Sequence, residues 1–226
     1  MRILIVAATD SEIAPLAAQL HERSRITPKV KQYEHKHHEI AILTTGVGMV
    51  ATAAWCSRIL GADGYELALN LGVCGSFESA IELGQVVHVT SERIAELGAE
   101  NDENFLTAQE LKLLPNDEFP FTNGRLVNSS SPKSATLAAL LTVDGITVNT
   151  ANGNDRSIAA VMKRFHPQVE SMEGAAFMYS CMIHRVPFAQ VRAVSNYVER
   201  RNREGWKLTE AIRNLAAVGM RILEEI

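Results

Sequence analysis

Residues 2–8, RILIVAA, form a nearly unbroken apolar run, the mark of a strand covered on both faces. Thr9 and Asp10 then offer capping oxygens, and Ile13, Leu16, Ala17 and Leu20 continue at helical spacing. Residues 27–45 read as a hairpin ending in the strand IAILTT, and GVGMVATAAWCSRIL turns from it into a helix. ELALNLGVCGSF predicts another buried strand followed by a glycine-rich turn, and GQVVHVTSERI and GRLVNSSS predict two more. A helix is expected to begin at Pro132 in PKSATLAALL, then a short strand GITVNT, a helix around 155–165, and another starting near Met172. A strand follows at 186–195. The last helix runs from about Trp206, with Leu208, Ile212, Leu215, Ile222, Leu223 and Ile226 on one face.

Strands and helices alternate throughout, without repeats, low complexity or a linker. That pattern predicts a single three-layer α/β/α domain over 1–226, built on a central twisted, largely parallel but mixed sheet. Residues 96–123, polar and holding Pro115 and Pro120, break the pattern and read as a surface excursion or lid. Composition changes little: 46% hydrophobic and 21% charged residues in a chain of 226 suit an ordinary globular core. A net charge of −4 with seven mostly scattered histidines gives no reason to expect nucleic acid as a partner. The opening run is too short for a signal peptide, and no stretch approaches the ~20 apolar residues of a membrane span. Cys56, Cys74 and Cys181, odd in number and far apart, read as reduced core thiols of a cytoplasmic protein. The cluster YEHKHHE at 33–39 suggests a metal through His35, His37 and His38. Neighbouring histidines on a strand face opposite ways, so a solvated hairpin is the expectation and no metal or cofactor is assigned.

In open α/β sheets ligands settle beyond the carboxyl ends of strands. Those ends carry Glu12, NLGVCGSF, SMEGAA with Glu173, and the group Arg192, Ser195 and Asn196. Each has a plain structural explanation. Glu12 and Glu173 sit where helix N-termini favour acids, Arg192 suits an ion pair, and Asn196 suits a turn cap. GVGMVA at 46–51, with Asp63 beyond it, imitates half of a dinucleotide fingerprint, although a hairpin rather than a βαβ start precedes it.

Taken together, the four segments resemble the nucleoside phosphorylase and nucleosidase superfamily. ILIVAATDSEI is similar to the family's first strand and its glutamate, TTGVGMVATAA to its strand-to-helix turn, and NLGVCGSFESAIELGQVV to a long signature. ESMEGAAF is similar to the ribose-binding Met-Glu segment, and VRAVSNYV to the segment ending in the base-recognition residue. The likeness spans residues 2–198 apart from 96–123.

The resemblance implies cleavage of a purine nucleoside at the C1′–N9 bond through an oxocarbenium-like transition state. It assigns the catalytic roles to Glu12, Arg192 and Asn196: Glu12 as general base on the nucleophile, Arg192 helping to fix that nucleophile, and Asn196 at the base. It places substrate on Val73, Gly75, Met172 and Glu173, with Glu173 accepting from the ribose hydroxyls and Met172 beneath the sugar. Phosphorylase members carry an arginine and a serine where this chain has Asn70 and Val73. A phosphate dianion would lose a charge-assisted partner worth roughly 1.5–3 kcal/mol, so water is favoured as nucleophile. Adenine-cleaving members present an aspartate where Asn196 stands. An amide instead donates to O6 and accepts from a protonated N7, which favours a 6-oxopurine leaving group. Asn196 cannot supply that proton, which must then come from solvent. Arg156, Arg200, Arg201 and Arg203 are candidates to meet the 5′ substituent. NTANGND (149–155) departs from the family's aromatic base loop. The resemblance also implies a homo-oligomer. An adenine-type nucleosidase, a phosphorylase and a non-catalytic nucleoside sensor remain the alternatives.

Overall fold

The computed structural model describes residues 1–62, 64–200 and 202–226. Asp63 and Arg201, the ribose-binding acid of the dinucleotide reading and one of the four candidate arginines, lie outside the described residues. β1 (Arg2–Ala7) lies between β4 (His38–Thr44) and β5 (Leu67–Ser76), parallel to both. Its alternation divides the core. Ile3, Ile5 and Ala7 pack toward α1 (Asp10–Ala17) and α6 (Leu208–Glu225), whereas Leu4 and Val6 pack toward α2 (Met49–Leu60) and α5 (Gly174–His184). These are the three layers, and each large apolar side chain removed from water stabilises them by roughly 1.5–3 kcal/mol.

Beyond β1 the sheet closes on itself. β5 pairs β13 (Phe188–Tyr197) along one edge, in parallel; its other edge pairs β1 early and β12 (Val169–Ser171) at Gly75 and Ser76. β13 runs antiparallel to β6 (Val86–Ile94), β6 pairs β11 (Leu141–Thr147), and β11 pairs β12. Five strands, β5, β13, β6, β11 and β12, therefore form a closed ring. The parallel pairs sit at the centre and the antiparallel ones at the edges and at the ring closure, so the sheet is mixed.

Several elements depart from the sequence expectation, each for a physical reason. β2 (His21–Thr27) was not foreseen because it is an edge strand, exposed along nearly its whole length, that pairs only with β3 (Val30–His35). In the 96–123 region a separate hairpin forms, β7 (Gly98–Asn101) with β8 (Asn104–Thr107). Close by, β9 (Phe121–Thr122) pairs β10 (Arg125–Val127), which joins the edge of β6. The helix expected from Pro132 is α3 (Ala135–Ala139), because the Ser134 hydroxyl accepts from the Leu137 N–H at 3.0 Å and sets the start there. The strand expected at 145–150 is β11, four residues earlier. Glu96 draws the backbone N–H groups of Asn149 and Thr150 out of the ladder, at 2.9 and 3.3 Å. The final helix begins at Leu208, after a 3₁₀ turn over Arg203–Gly205. The histidine hairpin is only partly solvated: His37 is exposed but His38 is buried, and burial lowers the pKa of His38.

Candidate active site

Glu12 does two things at once. Its Oε2 accepts from the N–H and the hydroxyl of Thr9, both at 2.9 Å, closing a capping box at the start of α1. Its Oε1 accepts from the Val73 N–H of β5 at 3.2 Å. The cap therefore fixes the carboxylate, and the crossing bond aims its other oxygen at the end of the neighbouring strand.

Glu173 stands at the N-terminus of α5, and its Oε1 accepts from the Gly48 N–H at 3.1 Å. Gly48 adopts φ 98°, a conformation that favours glycine, and so turns its N–H toward the carboxylate. With a carboxylate seated on this turn, a pyrophosphate would meet like charge, which disposes of the dinucleotide reading of GVGMVA. Burial raises the Glu173 pKa, opposed by Arg192 and by the Gly48 N–H.

Arg192 is 1% exposed and lies behind the cavity wall. Nη1 stands 3.9 Å from Glu173 Oε2, a Coulombic contact longer than a hydrogen bond, and Nη2 donates closely to Asn70 Oδ1. Among the described residues no protein acceptor reaches Nη1 or Nε. A Cβ added at Gly72 would come within 2.2 Å of Arg192 Nη1 and 3.1 Å of Glu12 Oε1. Gly72 is thus the bare backbone over which the guanidinium approaches Glu12. Asn70 holds the arginine with its oxygen, and its Nδ2 donates to the Val6 carbonyl at 3.0 Å.

Further inside the ring Glu92 is fully buried. It accepts from Gln190 at 2.7 Å and Thr147 at 2.9 Å, and burial pushes its pKa up to about 7.

Asn196 reaches the cavity through a bulge. Val194 pairs Cys74 and Asn196 pairs Gly75, so Ser195 is the extra residue, and two consecutive side chains both face the cavity. Asn196 Oδ1 accepts from the Ser195 hydroxyl at 2.8 Å, and Nδ2 donates to the Tyr197 carbonyl at 3.0 Å. Gly75 leaves the room this amide occupies: a Cβ there would lie 3.2 Å from Nδ2.

The remaining wall is the loop between β11 and α4 (Asp155–Phe165), and carboxylates hold it. Glu96 accepts from the Asn149 side chain at 3.2 Å as well as from the two backbone N–H groups. Glu170, buried on β12, accepts from the Asn152 N–H at 3.0 Å and from Asn152 Nδ2 at 2.6 Å. Asp155 pairs with Arg200, in an exposed ion pair.

The cavity these elements enclose measures about 400 Å³ and lies at the mouth of the ring. Of the residues predicted from sequence it brings together Glu12, Val73, Gly75, Met172, Glu173 and Asn196; Arg192 does not line it, its guanidinium lying over Gly72 on the side of Glu12. Four carboxylates, Glu12, Glu170, Glu173 and Glu199, line it, and among the described residues no Lys, Arg or His does. Sequence reading missed Glu170 and Asn152. The strand VES holds a single apolar residue, so Glu170 is set apart by its burial in the fold and not by its sequence. Among the described residues, no three His, Cys, Asp or Glu side chains are grouped to hold a metal ion and no helix is long and apolar enough to cross a membrane.

The closed ring with a carboxylate-lined cavity at its mouth defines a nucleoside phosphorylase-like α/β fold. The chain belongs to the Phosphorylase superfamily, whose sequence profile matches residues 2–224. It is 33% identical to the futalosine hydrolase of Streptomyces coelicolor, over 79% of this chain and 76% of that one. It is 29% identical to the futalosine hydrolase of Thermus thermophilus, over 81% and 80%. In three dimensions it superposes on the Helicobacter pylori 5′-methylthioadenosine/S-adenosylhomocysteine nucleosidase crystallised with butyl-thio-DADMe-Immucillin-A. That match has a TM-score of 0.82 at 16% identity and covers 100% of this chain and 99% of the other.

Proposed function

We propose that this protein hydrolyses the N-glycosidic bond of futalosine, releasing hypoxanthine and leaving dehypoxanthinyl futalosine, a step on a menaquinone route. The observation that carries the choice of water over phosphate is the charge of the cavity: four carboxylates line it and no described cation does. Asn70, standing where phosphorylases carry an arginine, is committed to Arg192 and Val6. A phosphate dianion would meet like charge without a partner, whereas neutral water would not. The identity to two futalosine hydrolases supports the substrate.

In this reading Glu173 accepts from the ribose hydroxyls, over Met172, and its charge favours the cationic sugar of the transition state. Glu12 takes a proton from water as the water oxygen bonds to C1′ and the C1′–N9 bond breaks. Arg192 is a positioning residue, setting the field between the two carboxylates from its place over Gly72. Asn196 donates to O6 and accepts from N7, whose proton comes from solvent. The apolar wall of Val47, Trp206, Leu208 and Ile212 is left for the 5′ substituent. Arg156 and Arg203 remain candidates for the carboxylate of that substituent, while Arg200 already pairs with Asp155.

We also read the protein as cytoplasmic, with buried free thiols, and as a homo-oligomer. Val50, Tyr179 and Ile183, on the packed helices α2 and α5, present exposed apolar surface suited to a second copy. Base release from futalosine, aminofutalosine, inosine, methylthioadenosine and S-adenosylhomocysteine, with and without phosphate, tests the proposal. Futalosine should be cleaved fastest, without phosphate dependence. Ribose-1-phosphate products or a preferred adenine nucleoside would sink it, and binding without turnover would favour a sensor.

A further inference from the structure

Glu170 and Asn152 have no part in the sugar chemistry, yet both line the cavity. Their contact is two-pronged: the Asn152 N–H meets Glu170 Oε1 at 3.0 Å, and Asn152 Nδ2 meets Oε2 at 2.6 Å. A carboxylate facing an amide in this way fixes which end of the amide is which. Turning the Asn152 side chain over would set its carbonyl oxygen against Glu170 Oε2, lone pair against lone pair. Oδ1 is therefore locked on the side away from Glu170. Among the described residues no donor reaches it, and it is not one of the buried atoms left without a partner. The loop thus presents a fixed acceptor that cannot become a donor.

We infer that Asn152, oriented by Glu170, is a second base-reading residue that accepts a hydrogen bond from the N1–H of a 6-oxopurine. The inference rests on the proposed function and deepens it. A 6-oxopurine carries a proton on N1, whereas a 6-aminopurine presents a bare lone pair there. A fixed acceptor favours the first and repels the second. Asn196 reads O6 and N7, so the two amides sample different edges of the same ring. Glu170 is the positioning residue of the pair and touches no base atom.

The test compares kcat/KM for futalosine and for its 6-amino analogue in wild type, Asn152→Ala and Glu170→Gln, with thermal unfolding as the check on folding. Losing the N1 contact should lower the futalosine-to-aminofutalosine ratio roughly 10- to 100-fold in Asn152→Ala. Glu170→Gln keeps the shape but lets the amide turn, and should lower the ratio by a smaller factor. A loop that is only structural would lower both rates in proportion; an unchanged ratio overturns the inference while leaving futalosine hydrolysis by the wild type intact. A wild type that prefers the 6-amino analogue overturns both readings. A third measurement needs no variant. Wild-type enzyme should bind hypoxanthine at least about 10-fold more tightly than 1-methylhypoxanthine by calorimetry, and equal affinities overturn the N1 contact.

Discussion

At the end of the cavity that the proposed function gives to the sugar, Glu12 and Glu173 project from the starts of helices, and each is tied to a backbone N–H on another element. At the loop end, Asn149, Thr150 and Asn152 sit outside regular structure and are held by carboxylates from β6's exit and from β12. The first arrangement spends backbone amides to place acids; the second spends acids to place amides. The difference follows from what each end must present. On the proposed function the end built by Glu12 and Glu173 would hold fixed negative charge next to a developing cation, and buried strand and helix ends supply the N–H groups that tolerate it. On the inference above the loop end would present neutral groups of defined donor and acceptor sense, and an acid behind an amide sets that sense.

The largest effect that separates the two ends is expected at Glu173. Glu173→Gln keeps shape but removes the charge, and kcat should fall roughly 10²-fold or more for every nucleoside accepted, whatever its base. Because burial raises the Glu173 pKa, the carboxylate is lost as pH falls through a value above the ordinary one. The acid limb of the wild-type rate profile should lie correspondingly high. Near-normal turnover in a folded Glu173→Gln protein would reduce this acid to a helix-start residue.

Asn196→Asp should act on the base alone. The new oxygen would face the Tyr197 carbonyl that now receives an N–H at 3.0 Å, and an ionised aspartate would oppose O6. The mismatch should cost about 1–3 kcal/mol on 6-oxopurines, roughly a 5- to 150-fold drop, and improve the relative rate on the 6-amino analogue. A ratio that does not move would remove Asn196 from base recognition.

The smallest effect is expected at the outer tether. Arg200 and Asp155 are 81% and 68% exposed at their side chains, and such pairs are worth little. Arg200→Gln should therefore change kcat/KM for futalosine by no more than about 3-fold. A larger loss, confined to substrates with the anionic 5′ substituent, would show that Arg200 leaves Asp155 to meet it.

The same contrast governs what the sequence made legible. Glu173 and Asn196 could be found because each stands beside an apolar run, whereas Glu12 lies in the polar stretch TDSE and is marked only by the family resemblance of ILIVAATDSEI. Arg192 could be found because it breaks an apolar strand, but not its place over Gly72, because that depends on a contact between strands. The loop residues sit among other polar residues, and nothing local distinguishes Asn152 from Asn149 or Asn154. Glu170 sits in a three-residue strand, too short for a period. β2 was invisible because an edge strand exposed on both faces has no alternation to read.

The closed ring of β5, β13, β6, β11 and β12 acts as a hoop. A strand at the border of an open sheet can fray or shift against one neighbour; a strand in a hoop is braced on both sides, and any slip must travel round all five. The width of the cavity mouth is then set by strand number and register, not by what enters it. Differences in substrate size must be absorbed by parts outside the hoop: the turn at 46–48, the loop before α4 and the segment from Asn202 to Ile212. Exchanging that segment should retune which 5′ substituents are accepted while the bond-breaking machinery keeps its dimensions.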